Sequence, residues 1–146
     1  MFKNKKILAI ILARSGSKGI INKNIKKIKK KPLLSYTAQF AKKLKILDKV
    51  IISTDSSKFQ KIAYKDGVES PFLRSKILSK DNVPDDICLL DGLLKCEKFY
   101  KTRFDIVVSL PPTSPLRKKR DVIGAIKKCI NKNLDSVWTI SKIDSK

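Results

Sequence analysis

Ile7-Leu8-Ala9-Ile10-Ile11-Leu12-Ala13-Arg14-Ser15-Gly16-Ser17-Lys18-Gly19-Ile20-Ile21-Asn22-Lys23-Asn24 decides the reading of this chain. Seven apolar residues, Ile7 to Ala13, follow a basic leader and stop at a small-residue turn. A short run with no polar alternation reads as a strand buried on both faces, as in a parallel sheet. The turn places Arg14, Lys18 and Lys23 around Ser15, Gly16, Ser17 and Gly19. Backbone amides in such a turn, with cations beside them, suit a polyphosphate. Two familiar phosphate motifs are absent. Lys18 precedes Gly19, so the P-loop order fails. Only Gly16 and Gly19 stand in the turn, so the three-glycine dinucleotide fingerprint fails as well.

Working outward, alternating strands and helices follow. Pro32 is expected to open a helix, carrying Leu33, Tyr36, Thr37, Phe40, Ala41 and Leu44 inward at helical spacing. Val50 to Ile52 reads as a second strand, ending at Ser53-Thr54-Asp55. Ser56 or Ser57 caps a helix with Phe59, Ile62 and Ala63 inside, and Gly67 stops it. Pro71 to Arg74 reads as irregular. Pro84-Asp85-Asp86 opens a third helix with acids at its positive end and Ile87, Leu90, Leu94 and Phe99 as its inner face. Ile106 to Leu110 is a third strand, leading into Pro111 to Arg117. A helix with Val122, Ile123, Ile126 and Ile130 inward follows. Ser136 to Ile140 is expected as a fourth strand. Such alternation implies an α/β fold, a Rossmann-like parallel sheet with helices on both faces. Ligands in these folds sit outside the carboxyl ends of the strands. Arg14, Asp55 and the Pro-Thr-Ser-Pro loop all follow such ends.

Composition narrows the classes. The 146 residues are expected to form one domain over 1–146, with no closing helix after Ser141, and therefore incomplete at its C-terminus. The apolar runs are far short of the roughly 20 residues of a membrane span. The first run lacks a small-residue cleavage site and ends at Arg14, unlike a secretory signal. The net charge of +21 suggests nucleic acid, but 29 of the 34 cations are Lys, and aromatic content is 7%. Lysine-rich surfaces without aromatic interleaving offer no stacking platform, so nucleic acid is an unlikely partner. With no His, a histidine base or a Ser-His-Asp triad is excluded. Cys88, Cys96 and Cys129 lack metal or redox spacing and read as buried hydrophobes in a reducing cytoplasm.

Several ordered landmarks together resemble the N-terminal portion of the acylneuraminate cytidylyltransferase (CMP-sialic acid synthetase) family. They are Ala13 to Gly19, Lys23-Asn24, Lys31-Pro32-Leu33, Ser53 to Ser56, Pro71-Phe72-Leu73-Arg74, Phe104 to Val108 and Pro112 to Arg117. The resemblance implies transfer of CMP from CTP to the anomeric hydroxyl of an acidic nonulosonate sugar, with Mg²⁺ and release of pyrophosphate. It implies Arg14 and Lys18 as catalytic cations. Leu12, Ala13, Ser15, Gly16, Ser17, Asn24, Asp55, Arg74, Thr113 and Ser114 would contact nucleotide or substrate. The bland alternatives are a capping role for Asp55, a turn role for Asn24, and a plain Pro-bounded turn at Thr113 and Ser114. The family's metal acids and dimer-forming elements are expected beyond Lys146, with a homodimer only for a full-length form in the cytoplasm. Departures fall at Ser15, where the family usually has Gly, and at Pro111, where it has Gln. Asp81 to Asp86 lacks the family's serine contact. The rivals are a Kdo-type synthetase, a basic nucleic-acid-binding domain and an inactive remnant.

Overall fold

The structure, a computed structural model, describes residues 2–17 and 19–140. The chain forms two compact units, Met1–Pro115 and Leu116–Lys146.

The first unit is built around β1 (Ile7–Leu12), whose residues 7–11 are completely buried. It lies at the centre of a three-stranded parallel sheet, between β4 (Lys49–Ser53) and β5 (Ile106–Ser109). Ile10 is paired with Ile51 on one side and Ser109 on the other. A strand flanked on both edges and covered on both faces needs the unbroken apolar run seen in the sequence. Its amino end is fastened by two side chains. The Ile7 amide donates to Asp48 Oδ2 at 2.8 Å, and the Lys6 amide donates to Asp105 Oδ2 at 2.8 Å.

A small hairpin intervenes before the first helix: β2 (Lys27–Ile28) pairs antiparallel with β3 (Lys31–Pro32). Pro32 therefore belongs to a strand, and α1 (Leu33–Lys42) begins one residue later than expected. Proline's fixed φ suits either place, so its presence did not discriminate between them. α1 buries Leu33, Leu34, Thr37, Ala38 and Ala41, while Tyr36 and Phe40 are only half-buried. α2 (Ser57–Lys65) buries Phe59 and Ala63, with Ile62 half-buried, and ends at Gly67 at φ +75°, the left-handed value that glycine adopts without strain. Ser56 occupies the N-cap, but its hydroxyl makes no capping bond. Instead the Ser56 amide donates to Thr54 Oγ1 at 3.2 Å.

α3 (Asp85–Tyr100) carries the main correction. The expected inner face, Ile87, Leu90, Leu94 and Phe99, is exposed. The face on the sheet is Cys88, Leu89, Gly92, Leu93, Cys96 and Tyr100. Leu89, Leu93, Cys96 and Tyr100 pack with Leu8, Ile10 and Ile51. Gly92 is what permits this approach: a Cβ there would lie 3.1 Å from Ile10 Cδ1. The even positions of β1 thus face α3. By the two-residue period of a strand, Ile7, Ala9 and Ile11 face the opposite layer, where α1 packs. Helices on both faces of a parallel sheet agree with the expected class.

In the second unit, α4 (Lys119–Asn131) buries Ile126, with Val122, Ile123 and Ile130 half-buried. The expected strand at Ser136–Ile140 is absent, and Trp138 and Ile140 are exposed. Strand composition alone does not make a strand. It needs a neighbouring edge to satisfy its amides, and none pairs with these residues. No described helix is long and apolar enough to cross a membrane.

Candidate functional site

The carboxyl ends of β1 and β4 converge, as the parallel order requires. The chain leaves β1 through Ala13, whose amide donates to Ser53 O at 3.0 Å. Leu12 packs in the α3-side core and Ala13 is fully buried, so both shape the exit of the strand from below. Ser15 is then gripped by Asp55. Its amide donates to Oδ1 at 2.8 Å and its hydroxyl donates to Oδ2 at 2.7 Å. Both carboxylate oxygens are spent on one residue, which ties the turn after β1 to the turn after β4. Asp55 thus anchors a loop, and it does not cap α2.

Asn24 is buried and reaches back into the same turn. Its Nδ2 donates to Arg14 O at 3.0 Å. Asn22, at φ +53°, turns the chain just before it. Arg14 is therefore clamped on both sides of its own main chain, by Asn24 at its carbonyl and by Asp55 at the following residue. Its guanidinium forms an ion pair with Asp81. Gly16 is exposed and Ser17 half-buried, and the Ser17 amide donates to Ser15 O at 3.1 Å. Lys18 lies outside the described residues.

Arg74 enters from the segment after α2. Its amide donates to Thr54 O at 2.8 Å, which hangs it from the end of β4. The residue is 4% exposed, and its Nε donates to Ser79 Oγ at 3.2 Å. Among the described residues no carboxylate pairs with it. A buried guanidinium with no carboxylate beside it is costly, and among the described residues Ser79 is the side-chain partner of its Nε. The neighbouring Cys88 thiol is pushed up by burial, against the opposing pull of the Arg74 charge. Burial pushes Cys96 up to about 12. Both are buried thiols, as expected, while Cys129 is only partly buried.

Beyond β5, Pro112 is buried, whereas Thr113 and Ser114 are exposed in a turn whose Ser114 amide donates to Pro111 O at 3.3 Å. Asp81 and Ser79, which touch the two arginines, were not singled out as site residues. Asp81 heads the stretch Asp81 to Asp86 that departs from the family pattern, but nothing local in the sequence ties it or Ser79 to an arginine in another segment. Two hollows, of about 490 and 180 Å³, sit at the opposite rim, beside Arg103 and Lys49 near the amino ends of the strands. They do not belong to this cluster.

No group of three His, Cys, Asp or Glu among the described residues could hold a metal. The two acids of the cluster are engaged, Asp55 by Ser15 and Asp81 by Arg14. These residues therefore offer no ready cage for Mg²⁺.

Loops gathered at the carboxyl edge of an open parallel sheet, with a buried arginine among them, place this chain in the α/β class whose ligand sites lie at that edge. Residues 8–145 match the cytidylyltransferase family model, and the chain belongs to that family. It is 40% identical over 128 residues to a post-translational flagellin modification protein B of Campylobacter coli, covering 87% of this chain and 54% of that one. It is 38% identical over 109 residues to the CMP-N,N'-diacetyllegionaminic acid synthase of Campylobacter jejuni, covering 75% and 46%. Among solved structures, a CMP:2-keto-3-deoxy-manno-octonic acid synthetase complexed with CTP superposes with a TM-score of 0.73 at 20% identity. That match covers 88% of this chain and 48% of the other, and shows a shared fold. The chain spans about half the length of these relatives.

Proposed function

We propose that this chain carries the nucleotide-binding part of a cytidylyltransferase that activates an acidic nonulosonate sugar with CTP. The observation that carries the reading is the meeting of Arg14, Ser15, Asn24, Asp55 and Arg74 at the ends of β1 and β4. Two of them are cations held in place by the fold. In the reaction, the anomeric hydroxyl oxygen attacks the α-phosphorus of CTP. The bond to the bridging oxygen breaks, pyrophosphate leaves, and the hydroxyl proton passes to solvent. Negative charge grows on the α-phosphate and the leaving group. Arg14, whose main chain the fold holds before the reaction begins, would offset it, together with Lys18 from the same stretch of sequence. Asn24, Arg74, Thr113 and Ser114 would contact nucleotide or sugar. Mg²⁺ would arrive as the CTP complex, since it commonly bridges substrate phosphates with few protein ligands.

Relatives named for legionaminic, sialic and pseudaminic acid, at 34–38% identity, favour a nonulosonate over Kdo, whose synthetase superposes at 20% identity. A cytoplasmic setting, where CTP is made, fits this reading. The test is pyrophosphate release with Mg²⁺-CTP and a panel of nonulosonic acids and Kdo, beside calorimetry with CTP and ATP. Preference for CTP over ATP supports the reading. Equal or undetectable binding of both refutes it.

A further inference from the structure

The segment from Ser75 to Asp81 touches both arginines of the cluster. Ser79 Oγ accepts from Arg74 Nε at 3.2 Å, and Asp81 pairs with Arg14. The segment is stiffened from within and from behind. Ser79 Oγ donates to Ser75 O at 2.9 Å, the Leu78 amide donates to Ser75 Oγ at 3.3 Å, and Cys88 Sγ donates to Leu78 O at 3.2 Å. It is a strap laid across the turns that follow β1 and β4. It treats the two arginines differently. Arg74 receives a neutral hydroxyl, and no carboxylate among the described residues pairs with it. Arg14 receives a carboxylate.

We propose that Asp81 is a placeholder counter-ion, which holds Arg14 in the ligand-free protein and yields it to a polyphosphate. The proposal rests on the phosphate-site reading above. A guanidinium presents the same fork of N–H donors to a carboxylate and to a phosphate, so the two compete for the same atoms. A polyphosphate brings several negative charges against one, and the Coulomb term favours it. The Arg14 and Asp81 side chains are 31% and 32% exposed, so solvent screens the pair and it breaks at small cost. The main chain around Arg14 does not depend on Asp81, because Asn24 and Asp55 hold it. Removing Asp81 therefore frees the cation without dismantling the turn.

The experiment is calorimetry of the full chain with inorganic tripolyphosphate, which has neither base nor sugar. Asp81→Asn is expected to bind roughly two- to five-fold more tightly than the parent, the range of an exposed ion pair. The gain should vanish in an Arg14→Ala background. Asp85→Asn removes the same charge from the exposed start of α3 and is expected to change little. Weaker or unchanged binding by Asp81→Asn overturns the proposal. So does an equal gain without Arg14, or no binding of tripolyphosphate at all. Tighter tripolyphosphate binding with no preference for CTP would keep the placeholder and refute the cytidylyltransferase reading.

Discussion

Replacing Asp55 by alanine removes the carboxylate that ties the turn after β1 to the turn after β4. Two bonds are lost, from the Ser15 amide at 2.8 Å and from the Ser15 hydroxyl at 2.7 Å. Hydrogen bonds to a charged partner contribute about 1.5–3 kcal/mol each. The site is only part-buried and water replaces some of this, so the expected loss of folding stability is about 2–3 kcal/mol. Ser15→Ala removes the hydroxyl bond alone and should cost about 1 kcal/mol. The double variant should cost little more than Asp55→Ala, since both changes break one contact. Urea unfolding followed by circular dichroism gives the stabilities, and calorimetry with Mg²⁺-CTP gives the binding. Affinity should fall in the same order, because the turn that bears Arg14 loosens. Asp55→Ala with unchanged stability and unchanged affinity would refute the anchoring role. Additive costs in the double variant would show that Asp55 and Ser15 act separately.

Three further outcomes are expected. Glu69 sits below its ordinary value of 4.5, chiefly through the Tyr100 hydroxyl, which donates to it at 2.5 Å, and then through Lys49. A carboxyl lowered on folding adds stability that is present above its unfolded value and is lost as pH falls through the folded one. Tyr100→Phe should therefore flatten the acid limb of a stability-versus-pH series below about pH 4.5, and an unchanged limb would count against the contact. Leu34→Ala, at a fully buried position of α1, should cost about 2–5 kcal/mol in urea unfolding. Leu90→Lys, on the exposed side of α3, should stay within about 0.5 kcal/mol of the parent. A large loss at Leu90 would restore the inner face first expected.

The legible parts of the fold were those where local chemistry allows one solution. The run from Ile7 to Ala13 has no polar face, so it had to be covered on both sides. Gly67 stands where a left-handed residue ends a helix. α3 was misread because it is apolar on two opposite sides. Ile87, Leu90 and Leu94 fit a helical stripe as well as Leu89, Leu93 and Cys96 do. The space for Ile10 above Gly92, which settles the matter, is a tertiary fact. Ser136 to Ile140 have strand composition but no partner edge among the described residues. At the site, Arg14, Asn24, Asp55 and Arg74 were visible because each follows a strand end or lies in a recognisable landmark. The work each does was not visible. Asp55 grips Ser15, and Asn24 holds the Arg14 carbonyl. Asp81 reaches Arg14 across a distance in the chain that no local pattern encodes.

The central place of β1 has a consequence for how the protein is made. One neighbour of β1, β4, follows some forty residues later, but the other, β5, pairs Ile7 with Ile106. A ribosome adding about 5–20 residues per second leaves that second edge unpaired for on the order of 5–20 seconds. Throughout this interval the nascent chain displays Ile7 to Leu12, six uncharged apolar residues of the kind that pair promiscuously with other chains. Lys3, Lys5, Lys6 and Arg14 bracket the segment. Charges in those positions act as gatekeepers during synthesis, repelling a second copy until β5 arrives to close the edge.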